Sequence, residues 1–188
     1  MSNAYKITDQ FAPYYLTFQV VQWADLFTRQ IYRDIVMDSF RYCCLNKGLE
    51  IYSYVIMSNH IHLIARSKNG NLSGVIRDLK RHTSTKILET IGNINESRKD
   101  WLLLIFKYAA NGHSRNELYQ VWTHENHAVE LFSKKFIQQK INYIHNNPVR
   151  AGLVANPEDY LYSSAPYYAG KDGIFEPVVL NFAWITIK

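Results

Sequence analysis

The sequence has few cysteines, no long apolar run, no internal repeat and no low-complexity segment. Its only two cysteines are adjacent, Cys43-Cys44. They fall in a stretch that reads as helix, where neighbouring side chains point in different directions, so no bond between them is expected. No zinc-binding spacing is present, and a reducing compartment is the expected setting. No apolar stretch approaches the roughly 18 residues that a membrane span requires. The N-terminus lacks the basic stretch, apolar run and cleavage site of a signal peptide. The cytoplasm is therefore the expected location, with no membrane partner.

What is present is an ordinary globular composition. The chain has 188 residues, 47% of them apolar, which suits a single domain able to bury a core. No boundary divides residues 1–188. Lys plus Arg number 21 against 16 acids, a net charge of +5, compatible with a nucleic-acid partner without requiring one. The distribution is more informative. Arg66, Lys68, Arg77, Lys80, Arg81 and Lys86 face a single acid, Asp78, within one stretch. This is either a solvated helix face or a phosphate-binding one. Tyrosine is abundant, with 14 copies, so a tyrosine carries little information by itself.

Hydrophobic patterning yields an order of elements. Tyr14 to Val21 is β-branched and aromatic, a strand. Residues 29–46 read as a helix that Gly48 stops. Leu49 to Met57 and His60 to Ala65 read as strands joined by a tight Ser58-Asn59 turn, hence an antiparallel hairpin. Leu72 to Ile91 has helical periodicity. Trp101 to Ala110 reads as a further helix, although its unbroken apolar run also suits a buried strand. Leu118 to Thr123 resembles a short strand. Ser133 is an N-cap candidate for a helix running to about Asn147, where Pro148 is expected to halt it. Beyond residue 155 the chain reads as loops wrapping the core. The expected fold is α+β, an α/β sandwich. It has an antiparallel sheet of split βαβ, ferredoxin-like or RRM-like topology, with helices packed on it and an extra C-terminal helix and tail.

Two constellations carry potential chemistry. His60 and His62 alternate in a strand, so both imidazoles share one face and Ile61 takes the other. Imidazole suits Mn²⁺, Co²⁺ or Zn²⁺ well and can serve a phosphate-bound Mg²⁺. The plain alternative is a pair of half-exposed, satisfied histidines. In the last helix Ile137, Ile141 and Ile144 share an apolar face, while Gln139, Tyr143 and Asn147 form a neighbouring stripe at i, i+4 and i+8. Tyr143 could present a phenol above the sheet, with the Asn147 amide one turn on. Each also has a bland reading, as a packing aromatic and as a helix-end residue before proline. His145, two positions from Tyr143, points elsewhere on the helix and is not assigned as a base. His113, His124 and His127 lie in loops and are expected to be solvent-exposed.

Together these residues resemble a known family. Met57-Ser58-Asn59-His60-Ile61-His62-Leu63 resembles the His-hydrophobe-His motif of IS200/IS605-type single-tyrosine (HUH) transposases. Tyr143-Ile144-His145-Asn146-Asn147-Pro148-Val149-Arg150-Ala151-Gly152-Leu153-Val154 resembles the second signature of their REP-associated relatives. Arg115 to Trp122 is similar to the tract between the two. The resemblance spans roughly residues 13–165. It implies that His60, His62 and Asn147 bind Mg²⁺ or Mn²⁺ and that Tyr143 is the nucleophile, with Gln139 a candidate orienting residue. The implied reaction cuts single-stranded DNA, leaving a 5′-phosphotyrosine link and a free 3′-OH, which a later 3′-OH attack rejoins.

The implied partner is single-stranded DNA carrying a hairpin, and relatives occur as homodimers and as monomers. Arg77, Lys80, Arg81 and His82 are the candidate phosphate contacts, and Tyr14 and Tyr15 the candidate base contacts. Three rival readings stand beside this one. They are an RRM-like nucleic-acid-binding module, a domesticated DNA-binding relative that no longer cleaves, and a phosphodiester hydrolase without a covalent intermediate.

Overall fold

The computed structural model describes residues 6–111 and 118–179. Strand β1 (Tyr14–Gln19) leads through two 3₁₀ turns, Val21–Trp23 and Leu26–Thr28, to helix α1 (Gln30–Asn46). Strands β2 (Leu49–Ile56) and β3 (His60–Ser67) form a hairpin, followed by helices α2 (Leu72–Asn93) and α3 (Lys99–Asn111). Strand β4 (Val129–Glu130), helix α4 (Lys134–Arg150) and a short helix α5 (Ala165–Tyr168) complete the order. The sheet runs β2-β3-β1-β4, with every neighbouring pair antiparallel. β1 and β2 flank β3, the split βαβ arrangement anticipated from the element order.

Strand alternation sorts the sheet into two faces. Tyr14, Leu16 and Phe18 of β1, with Ile61, Leu63 and Ala65 of β3, pack with α1 and α2 into the larger core. On the other face Tyr15, Val55 and Ile64 pack against Ile137, Ile141 and Ile144 of α4. The three isoleucines are the apolar stripe read from the sequence. Ser133 caps α4 by accepting from the Phe136 amide.

Two expectations are corrected, and a further tract lies outside the described residues. Leu118 to Thr123 does not form a strand: only Trp122 pairs, in a single bridge with Val20, and the fourth strand is Val129–Glu130. Its indole turns inward instead, stacking on Phe27 at 5.6 Å and donating to Thr83 Oγ1. Pro148 does not halt α4, which continues to Arg150. Proline in the last turn forgoes one ladder bond, to the Ile144 carbonyl, and leaves the following residues free to close the helix. Ala151 N donates to Asn147 O, and Leu153 N to Pro148 O. Gly152, at φ +70°, then supplies the left-handed stop. His113 and the Arg115 to Glu117 part of the inter-motif tract lie outside the described residues.

The segment after residue 155 runs back along β2. Ile56 N donates to Tyr162 O, Ser164 N to Tyr54 O, and Val178 N to Ile51 O. A buried ionic knot joins α1 to the start of α3. The Glu96 carboxylate accepts from Tyr32 Oη (2.8 Å), Arg29 (3.1 Å) and Arg98 (3.2 Å). Burial alone would raise its pKa, but these hydrogen bonds outweigh it and hold the carboxyl down at about 2. No described helix is long and apolar enough to cross a membrane.

Candidate active site

His60 and His62 stand on the α4 face of the sheet, their ring centres 4.7 Å apart. The Tyr143 ring lies 5.4 Å from the His62 ring, so helix and strand bring nucleophile candidate and imidazole pair together. Tyr143 remains 38% exposed while His62 is 7% exposed, leaving the phenol open to solvent above a sunken imidazole. Asn147 follows one turn later. Its Nδ2 donates to the Tyr143 carbonyl, which turns the amide nitrogen onto the helix and leaves Oδ1 as its outward acceptor. Gln139, one turn before Tyr143, is exposed.

The imidazoles are oriented by neighbours. Asn59 Nδ2 donates to Asp25 Oδ1 (3.0 Å) and to the Trp23 carbonyl (3.3 Å), which identifies the remaining Asn59 amide atom as the acceptor. His60 Nδ1 donates to that Asn59 Oδ1 at 2.8 Å, so its Nε2 keeps a lone pair. His62 Nδ1 is bonded by Tyr15 Oη (2.8 Å) and Thr17 Oγ1 (3.0 Å), and its Nε2 is likewise left for the site. Burial lowers the His60 pKa. Burial, then the neighbouring His60 and Lys140, push His62 down to about 3. Both rings are therefore neutral at neutral pH, the state in which an imidazole is a metal ligand. Tyr15 is pushed above its usual pKa chiefly by burial, so its hydroxyl stays protonated and serves as a hydrogen-bonding prop for His62.

Among the described residues no group of three His, Cys, Asp or Glu side chains could hold a metal ion. A site built on this pair needs a ligand of another type, such as the amide oxygen of Asn147. His145 points away from Tyr143, as its helical spacing indicated. Its Nε2 bonds Ser164 Oγ (2.8 Å) and Ser53 Oγ (3.2 Å), buried beneath α4 and away from Tyr143.

Two cations escaped the sequence reading. Lys140 Nζ lies 4.5 Å from the Tyr15 ring centre and 5.7 Å from that of Tyr143, and the Arg150 guanidinium lies 5.6 Å from the Tyr143 ring. Their spacing from Tyr143, three residues before and seven after, places them on its side of the helix. That periodicity was available in the sequence. The Asp25-Asn59-His60 chain was not, because it joins the loop after β1 to the hairpin turn.

Several DNA-contact candidates fall elsewhere. α2 packs on the opposite face of the sheet, so Arg77 and Arg81, both exposed, are separated from the histidine pair by the sheet itself. His82 is exposed on the same helix. Lys80 is not available as a free phosphate contact. Its ammonium donates to Thr123 O and Asn126 Oδ1, both at 2.7 Å, and burial lowers its pKa to about 8. Tyr14 cannot stack on a base: it is 1% exposed, and its hydroxyl donates to Glu130. Tyr15 is buried against His62 and serves the site from below.

Comparison with known proteins bears on the family and the fold. Residues 13–147 match the family described as "Transposase IS200 like". A solved REP-associated tyrosine transposase, determined bound to a REP hairpin, shares the fold with a TM-score of 0.59 at 18% identity, covering 97% of this chain and 96% of its own. A putative transposase from Deinococcus radiodurans R1 aligns with a TM-score of 0.40 at 13% identity, over 78% of this chain and 97% of its own. No curated protein matches. The family match covers well over half of the chain, which therefore belongs to the IS200-like transposases, a family of enzymes that cut and rejoin DNA.

Proposed function

We propose that this transposase cuts single-stranded DNA through a covalent phosphotyrosine intermediate on Tyr143, with a divalent ion, Mg²⁺ or Mn²⁺, held by His60, His62 and Asn147. The observation that carries the reading is the placement of the Tyr143 ring 5.4 Å from His62, on the sheet face that also presents His60. The donor set fits such an ion. Both imidazoles are neutral, each has its Nδ1 engaged, and the Asn147 Nδ2 is tied to its own helix. When bound, the ion supplies charge stabilisation to the non-bridging oxygens of a phosphodiester.

The chain's own residues account for the remaining steps. Lys140 and Arg150, on either side of Tyr143 along α4, attract the backbone phosphate and steer it to the phenol. Tyr143 gives up its proton to solvent as its oxygen attacks phosphorus, and solvent returns a proton to the departing 3′ oxygen. The P–O bond to the 3′ oxygen breaks as the Tyr143–phosphorus bond forms. The strand leaves a free 3′-OH and a 5′-phosphotyrosine. Attack by another 3′-OH reverses the exchange and joins strands, one phosphoester replacing another. The substrate is single-stranded DNA with a hairpin near the cleavage site. The protein acts as a monomer or as a homodimer. A sheet that binds nucleic acid in the RRM manner stacks bases on an exposed face. Here α4 covers that face, which favours the catalytic reading over the binding module.

The test incubates the protein with single-stranded DNA hairpins and Mn²⁺ and resolves the products under denaturing conditions. A protein–DNA adduct should form with the parent and be absent in Tyr143→Phe. An adduct that persists in Tyr143→Phe would remove Tyr143 as nucleophile.

A further inference from the structure

Trp23 is the most exposed of the aromatic side chains beside the site, at 59%. Its ring meets the His60 ring edge-on at 6.0 Å, whereas the Tyr143 ring meets that of His62. The backbone that presents it is costly. Gln22 and Trp23 adopt φ of +54° and +53°, consecutive left-handed conformations that side chains with a Cβ resist. The flanking structure holds them there. Trp23 N donates to Val20 O, Val20 N to Asn59 O and Val21 N to Val121 O, while Asn59 Nδ2 donates to the Trp23 carbonyl. Strain of this kind persists where it serves a site, and here it does not bury the indole. The same Asn59 that holds the Trp23 carbonyl also fixes His60. The Trp23 backbone and the His60 imidazole are thus held by one side-chain amide.

We infer that Trp23 is a stacking platform for an unpaired nucleobase next to the phosphate that is cut, and so sets the position of the strand over His60 and His62. An exposed indole face is suited to this, because every base has a π-face and stacking tolerates sequence. With Lys140 and Arg150 beside Tyr143 and Trp23 beside His60, the strand would meet both cations and an aromatic at the histidine pair. The inference rests on the reading of His60 to Tyr143 as the cleavage site.

The experiment measures equilibrium binding in a Tyr143→Phe background, where no strand is cut. The probes are a single-stranded oligodeoxythymidine of about 12 nucleotides, within the footprint of single-strand binders, and an abasic strand of the same length. Trp23→Ala should weaken binding of the oligodeoxythymidine about tenfold. Trp23→Phe should restore most of it, and the abasic strand should bind equally to all three proteins. Trp23→Gly accepts the left-handed backbone without strain and should lose binding as Trp23→Ala does while unfolding no more easily than the parent. Unchanged binding in Trp23→Ala and Trp23→Gly, or an equal loss on the abasic strand, overturns the platform. Should these binding results hold while the protein with Tyr143 intact forms no adduct, the base platform stands and the cleavage reading fails.

Discussion

The hydroxyls beneath His62 offer a quantitative handle on the proposed metal site. Tyr15 Oη and Thr17 Oγ1 both reach the same Nδ1, at 2.8 and 3.0 Å. One nitrogen can use either partner to fix its tautomer and ring angle. Removing one hydroxyl should therefore cost little, because the other remains in place. Removing both leaves Nδ1 unpaired in a ring that is 7% exposed, free to take the other tautomer and blunt the Nε2 lone pair. Loss of such outer partners typically costs 10- to 100-fold in metal affinity. We expect Tyr15→Phe and Thr17→Val each to weaken Mn²⁺ binding by less than about tenfold. The double variant should approach about a hundredfold, near 2.7 kcal/mol at 1.36 kcal/mol per decade, so that the double loss exceeds the sum of the singles. Tyr15→Phe keeps its packing and gives up one buried hydrogen bond, a stability cost of about 1 kcal/mol, which leaves the fold intact for titration. Isothermal titration calorimetry with Mn²⁺ reads the four proteins directly. A double variant that binds as the parent does would refute the proposed ligand role of His62, and strictly additive losses would refute the shared-partner argument.

Other expectations concern the scaffold. Glu96 is held near pKa 2 against a reference of 4.5, so its contribution is present above about pH 4.5 and is lost as pH falls towards 2. The depressed folded-state value means that the unfolded chain takes up the proton first, and the loss integrates to about 3 kcal/mol. Denaturant unfolding of the parent and Glu96→Gln between these limits checks it: the variant should be weaker at neutral pH and show a flatter acid limb. Glu96→Ala leaves Arg29, Arg98 and Tyr32 facing an emptied carboxylate position and should cost about 3 kcal/mol or more, read as a lowered unfolding midpoint. Trp23→Gly should raise stability by about 1 kcal/mol through release of left-handed strain, and a fall in midpoint would show that the indole packs more than its exposure implies.

Much of the scaffold was legible because its signals are local. Alternation in β3 turned Ile61 away from its two histidine neighbours, and the spacing of Ile137, Ile141 and Ile144 marked the buried side of α4. The same periodicities put His60 and His62 on one face and Tyr143 on a stripe with Asn147. The misreadings came where tertiary contacts decide. Leu118 to Thr123 has strand-like composition, yet Trp122 is drawn into the core by Phe27 and Thr83, leaving one bridge in place of a ladder. Charge on α2 was read as either a solvated or a phosphate-binding face, and nothing in the sequence says which side of the sheet a helix will cover. Lys80 was absorbed by Thr123 and Asn126, more than 40 residues away in sequence. Tyr14 and Tyr15 are adjacent and equally aromatic, and only the sheet separates a core residue from one that supports His62. Trp23 was invisible as a site residue because its placement depends on consecutive left-handed conformations that propensity does not foresee.

The most direct measurement of the central claim is mass spectrometry of the protein–DNA adduct after nuclease and tryptic digestion. Cleavage after Lys140 and Arg150 releases a peptide, Ile141 to Arg150, that contains one tyrosine, Tyr143. The account predicts a nucleotide joined through its 5′ phosphate to Tyr143 of that peptide, formed only when a divalent ion is supplied. A nucleotide found on any other residue, or cleavage products accumulating without an adduct on Tyr143, would contradict it.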